Sequence, residues 1–141
     1  LNMKSSMKEF CYMKNNQTEA FEWVAMGDED LRVAKLLIEN EESTRIIGFH
    51  CQQAAEKYFK ALLSYHQIKI PFSHDLPKLY NLCIQADSGI SFDIGYLVDL
   101  SKFAVEIRYS KNPQIDEEAL YSGYNYVQTI RNTILSKITE E

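Results

Sequence analysis

Residues 49–63 read Phe49-His50-Cys51-Gln52-Gln53-Ala54-Ala55-Glu56-Lys57-Tyr58-Phe59-Lys60-Ala61-Leu62-Leu63. Cys51, Ala54, Tyr58 and Leu62 recur at steps of three and four, the spacing of one face of an α-helix. Ile47 and Tyr65 extend that stripe at either end. Ala55, Phe59 and Leu63 widen it, which suits a helix at the centre of a bundle. Ala54, Ala55 and Ala61 allow a neighbouring backbone to approach closely. This pattern predicts a helix over 44–67.

Working outward, the same period continues on both sides. Phe21, Val24, Leu31, Ala34, Leu37 and Ile38 mark an earlier helix over 18–40, with Thr18 as its cap. After Pro71, Ser73 is placed to cap a helix over 74–86, whose inner face is Leu76, Leu79, Tyr80, Cys83 and Ile84. Pro77 falls in its first turn, where proline is tolerated. Ile94, Leu97, Val98, Ala104 and Val105 mark a helix over 92–109 that Lys111-Asn112-Pro113 breaks. Leu120, Tyr124, Val127, Ile130, Ile134 and Ile138 mark a last helix over 115–139, with Asp116 to Glu118 favourable at its positive end. No segment alternates as a strand does. The fold class expected is all-α, an antiparallel up-and-down bundle of four to five helices joined by short links. Residues 1–16 are expected to form a flexible segment, and 17–141 a single helical domain.

The chain has 141 residues, of which 45% are hydrophobic and 25% charged, and glycine and proline are scarce. A domain of this size buries roughly 68–70% of the surface its unfolded chain exposes, so it needs no metal or disulfide staple. The formal net charge of −5 disfavours a protein that coats duplex nucleic acid, because neutralising phosphates calls for a basic surface. Cys11, Cys51 and Cys83 are widely spaced and odd in number, which points to a reducing, cytoplasmic setting. The longest apolar runs are a few residues, so no membrane span is expected.

The polar residues of the 49–63 stretch carry the densest functional pattern. His50, Gln53, Lys57 and Lys60 follow one another at steps of three, four and three, beside Glu56. Read plainly, they form a solvated face on which Glu56 and Lys60 make an i,i+4 pair. Read functionally, they form a strip of donors suited to phosphate or to base edges. Arg108 continues the inward stripe of its helix, so it needs a carboxylate, a cleft or a ligand anion; Tyr109 beside it can stack or donate a hydrogen bond. His74 and Asp75 open the 74–86 helix, as capping chemistry or as part of a polar cleft. Three isolated histidines and no matched cysteines give no metal site, and no glycine-rich loop cradles a phosphate; no cofactor is expected. Tyr121, Tyr124 and Tyr126 read as core or interface aromatics.

Taken together, these residues resemble the HEPN domain family. The stretch Phe49 to Leu63 is similar to the signature helix of that family, and its Gln-Gln-Ala-Ala-Glu-Lys core is the most specific part. His74-Asp75-Leu76 with Lys78-Leu79 resembles the second motif. Arg108-Tyr109-Ser110 resembles an Arg-Tyr-Pro motif, with serine in place of proline, and Asp28 to Leu37 resembles the first-helix pattern. The resemblance spans about residues 18–138. It implies an antiparallel helical bundle associated with nucleotide or RNA binding. It also implies a homodimer, and a partner in a two-component system: a minimal nucleotidyltransferase or the other half of a toxin–antitoxin pair. Some members are metal-independent toxin ribonucleases that use an arginine followed by four to six residues and a histidine. After Arg108 the corresponding positions are Pro113, Gln114 and Ile115, and Arg32 and Arg131 lack the histidine as well. Arg45 and His50 do have four residues between them, but five positions turn a helix by about 140°, so the two side chains diverge unless the helix begins between them. The resemblance therefore implies binding more strongly than catalysis, with His50, Gln53, Lys57, Lys60, His74, Arg108 and Tyr109 as the binding residues. A pure protein-docking subunit is the third reading.

Overall fold

A computed structural model describes residues 3–41, 44–109 and 116–140, and side chains at 16–41, 44–103 and 116–140. Five helices follow one another: α1 (Met3–Glu39), α2 (Thr44–Tyr65), α3 (Leu76–Ala86), α4 (Ile94–Tyr109) and α5 (Glu117–Ile138). They pack on one another with no strand among the described residues, as the 3.6-residue period predicts. None of the helices is long and apolar enough to cross a membrane, among the described residues.

The central helix is α2, which touches all four others. Its sequence explains this. Ile47, Cys51, Ala54, Ala55, Tyr58, Phe59, Ala61, Leu62 and Leu63 are all buried, so apolar surface covers most of its circumference. Small residues set the spacing to its neighbours. A Cβ at Gly27 of α1 would meet the Tyr58 ring at 2.7 Å, and one at Gly48 would meet Phe103 of α4 at 3.2 Å. Three rings cluster against one another: Phe59 and Phe92 meet edge-on at 5.9 Å, with Tyr80 tilted against both. Tyr124 and Tyr126 pack partly buried against this core, in line with the core reading, whereas Tyr121 is exposed.

The element boundaries shift by local hydrogen bonds. The first helix starts at Met3 and not at the expected Thr18; residues 3–17 hold no proline or glycine to stop it. The second ends at Tyr65, because Gln67 turns into the left-handed region (φ 58°) while the Ile68 N–H donates back to the Leu63 carbonyl at 2.9 Å. The third begins at Leu76, capped by Asp75 and not Ser73. The Ser73 hydroxyl instead accepts from the Asp75 N–H at 3.2 Å, a local turn that leaves His74 ahead of the helix. The last is capped by Asp116, whose carboxylate accepts from the Glu118 N–H at 3.1 Å. Three residues expected on inner faces are exposed: Phe21, Ile94 and Val98. Ala20, Val24, Leu31 and Ala34 define the buried face of α1, and Leu97, Leu100 and Phe103 that of α4. Each exposed residue lies off those stripes or at a helix end.

A polar clamp ties α1, α2 and α5 together. Tyr58 donates to Asp28 at 2.6 Å, and Arg131 of α5 donates to both carboxylate oxygens, at 2.7 and 3.2 Å. Burial alone would raise the pKa of Asp28, but the hydrogen bonds from Arg131 and Tyr58 and the arginine charge prevail and hold it below its ordinary 3.8. The phenol of Tyr58 is pushed up by burial and then by Asp28. The folded pKa of Asp28 is depressed, so its contribution to stability is complete above the unfolded value of 3.8 and shrinks as pH falls below it. Asp28→Asn should therefore be less stable than the parent at pH 7, and the gap should close as pH drops below 3.8; urea midpoints measured across that range test this. A gap that is constant with pH would mean the clamp acts without its charge.

Candidate functional site

The predicted strip on α2 is present, and most of it is tied down from beneath by two carboxylates. One is Asp30 of α1, which accepts from His50 Nδ1 at 2.8 Å and from the Lys57 ammonium. The other is Glu56 of α2 itself, whose side chain is 5% exposed. Glu56 accepts from Lys60 at 3.1 Å, from His74 Nδ1 at 2.7 Å and from Gln52 at 3.3 Å. Gln52 also donates to the His74 carbonyl at 3.1 Å, and Gln53 donates to Gln52 at 2.8 Å. Each carboxylate thus holds one histidine and one lysine, and the amides of Gln52 and Gln53 lead from the Glu56 group back onto the strip.

The local sequence accounts for the arrangement. His50, Gln53 and Lys57 share one side of α2, facing the α1 turn that carries Asp30. Gln52, Glu56 and Lys60 are spaced four apart and line the adjacent side. There Trp23 of α1 lies under the Lys60 ammonium, with the ring centre 5.7 Å away, and contributes a cation–π contact. His74 reaches Glu56 because it precedes α3, in a loop that packs over α2. That loop is held further by the Leu76 N–H, which donates to the Ser101 hydroxyl of α4 at 3.2 Å.

Chemically, the strip differs from a solvated face. The pair Glu56–Lys60 forms, but with side chains only 5% and 12% exposed. Deleting one member of so buried a pair strands the other charge. Contact of Nδ1 with a carboxylate places the ring proton there and leaves Nε2 as the free edge of each imidazole; the His50 and His74 side chains are 24% and 45% exposed. Lys57 and Lys60 are balanced by Asp30 and Glu56. The strip is therefore an array of oriented donors and acceptors more than an excess of positive charge.

His50, Gln53, Lys57, Lys60 and His74 are brought together by these bonds. Arg108 and Tyr109 are the last two positions of the α4 backbone, and their side chains, like Ser110, lie outside the described residues. The helix carrying Arg45 and His50 begins at Thr44, ahead of both, so the two are five positions apart on one continuous helix and point apart. The sequence does not disclose the anchoring roles of Asp30 and Trp23, nor that of Gln52, which lies in the most specific stretch of the resemblance. Asp30 sits in the Asp28–Leu37 stretch, but its partners are 20 and 27 residues away. Burial pushes the thiols of Cys51 and Cys83 up to about 12, so neither offers a thiolate nucleophile. Among the described residues, no group of three or more His, Cys, Asp or Glu side chains could hold a metal ion. An open cleft of about 440 Å³ between α1 and α5, lined by Asp28, Arg32, Lys35, Tyr124 and Arg131, holds none of the strip residues.

Compared with known proteins, the chain matches the family model of the HEPN domain over residues 20–138. No curated protein matches it.

The buried pair gives a direct test of the network. Lys60→Met should destabilise the fold by up to about 3 kcal/mol, because it takes the lysine charge from a buried carboxylate and leaves it only the bonds from His74 and Gln52 among those described. Glu56→Gln combined with Lys60→Met should recover most of that loss. A double-mutant cycle on urea midpoints measures the coupling, and additive losses would show that the two groups act separately.

Proposed function

The chain belongs to the HEPN domain family, and on that premise we propose that it is a nucleotide- or RNA-binding module. In this reading it is the accessory, substrate-binding subunit of a two-component nucleotidyltransferase or toxin–antitoxin system, and works as a homodimer. The observation that supports it best is the paired anchoring on α2: two carboxylates, each fixing one histidine and one lysine at the surface. Side chains held from beneath meet a ligand with little entropy left to lose. Lys57, Lys60 and Arg108 serve the phosphates in this proposal. His50, Gln53 and Tyr109 serve sugar or base, with His74 beside them.

The same histidines favour one second reading, a metal-independent ribonuclease. An imidazole whose Nδ1 is held by a carboxylate can take and return a proton at Nε2, as general acid–base catalysis requires. Under it, structured RNA is cut without metal and His50→Ala abolishes the cut.

A thermal-shift panel of nucleoside mono- and triphosphates and a short RNA, with and without magnesium, tests the binding reading. A ligand at 100 times its dissociation constant adds about 2.7 kcal/mol, a rise of several degrees for a domain of this size. Lys57→Ala should remove the shift; it also takes one partner from Asp30, which keeps its bond from His50, so each variant's shift is read against its own unliganded midpoint. No shift with any ligand overturns the proposal. RNA left intact after long incubation at several pH values overturns the ribonuclease reading.

A further inference from the structure

Phe72 stands clear of the other described residues except for the edge of the His74 ring. The residue is fully exposed, whereas the other exposed large apolar residues keep between 37% and 53% of their surface. Leaving a phenylalanine in water forgoes the stabilisation that its burial would bring. Its backbone is nevertheless firmly held. The Ser73 N–H donates to the Pro71 carbonyl at 3.0 Å, which closes a three-residue turn with Phe72 at its apex. Pro71 fixes its own φ on one side. On the other, Ser73 accepts from the Asp75 N–H and Gln52 of α2 donates to the His74 carbonyl. The Phe72 ring stands edge-on to the His74 imidazole, 6.2 Å between centres. From His74 the contacts run through Glu56 to Lys60.

We propose that Phe72 is a stacking platform for an unpaired nucleobase, so that the α2 face takes single-stranded RNA or a free nucleotide in preference to a duplex. This deepens the binding reading above and rests on it. An aromatic face held out on a pinned turn offers a base π-surface without a large ordering cost. His74 and Lys60 lie next along the chain of contacts, where the phosphate of a stacked nucleotide would be met. A base inside a duplex is already stacked on both sides and cannot use the ring.

The test is fluorescence anisotropy with a labelled single-stranded hexanucleotide, against the same strand with abasic sites, its duplex, and adenosine monophosphate as competitor. Phe72→Ala removes only exposed surface, so its melting midpoint should match the parent. Stacking on an aromatic side chain is worth about 1–3 kcal/mol per base, so this variant should lose roughly 5- to 150-fold in affinity for the single strand. It should lose nothing for the abasic strand, which the parent itself binds weakly. Phe72→Trp should keep the affinity and show quenching of the new indole on binding. Equal single-strand affinity of parent and Phe72→Ala, or equal parent affinity for abasic and normal strands, overturns the stacking role and leaves the binding reading standing. Preference for the duplex overturns it as well. If the parent binds none of the probes, the binding reading itself has failed.

Discussion

A carboxylate on the innermost helix of a bundle must find partners, and Glu56 organises one side of this protein around that need. Isolated ionised groups in such surroundings cost several kcal/mol. The partners come from three places: Lys60 one turn on, Gln52 one turn back, and His74 from the loop ahead of α3. The last of these draws the 66–75 connection down onto α2, so the entry to α3 is set by a side chain 18 residues earlier. Asp30 does the same work on the other side of the strip, from α1. The polar surface of α2 is thus part of the scaffold before it is anything else.

How much of this the sequence discloses depends on the range of the interaction. The helices are legible because each buries a stripe at 3.6-residue spacing. That holds best for α2, where Cys51, Ala54, Tyr58 and Leu62 are all fully buried. It fails for Phe21, Ile94 and Val98, since near a helix end or one position off the stripe an apolar residue satisfies the pattern without meeting a neighbour. The start of α3 turned on a competition between two good caps, and Ser73 spent its hydroxyl one step too early. On α2 itself the strip was identified from spacing, but spacing does not tell a solvated lysine from one lying over Trp23. The carboxylate beneath His50 and Lys57 was invisible for another reason: nothing local links Asp30 to a helix that begins fourteen residues later.

The electrostatics bear on how such a surface can recognise anything. The chain as a whole is acidic, with a net charge of −5, and on the strip the charges of Lys57, Lys60, Asp30 and Glu56 cancel. Long-range attraction of a polyanion is correspondingly weak. Selectivity on such a face has to come from geometry: the fixed orientation of imidazole edges, amides and ring faces. Those features discriminate by shape and hydrogen-bond register, and they are less sensitive to salt than a basic patch.

Asp28 and Asp30 sit two residues apart, which on a helix is about 200° of rotation. One faces Tyr58 and Arg131, and the other faces His50 and Lys57. Between them they key α1 into the bundle as a spline keys a shaft. A single inserted or deleted residue downstream of Gly27 and ahead of Leu31 would turn the rest of the helix by about 100° and unseat at least one of the two. Changes in chain length over evolutionary time therefore have few places to go in this helix. Gln17 adds a further tie by donating to the Ile138 carbonyl at the end of α5, so such changes fall more readily in the connections between helices.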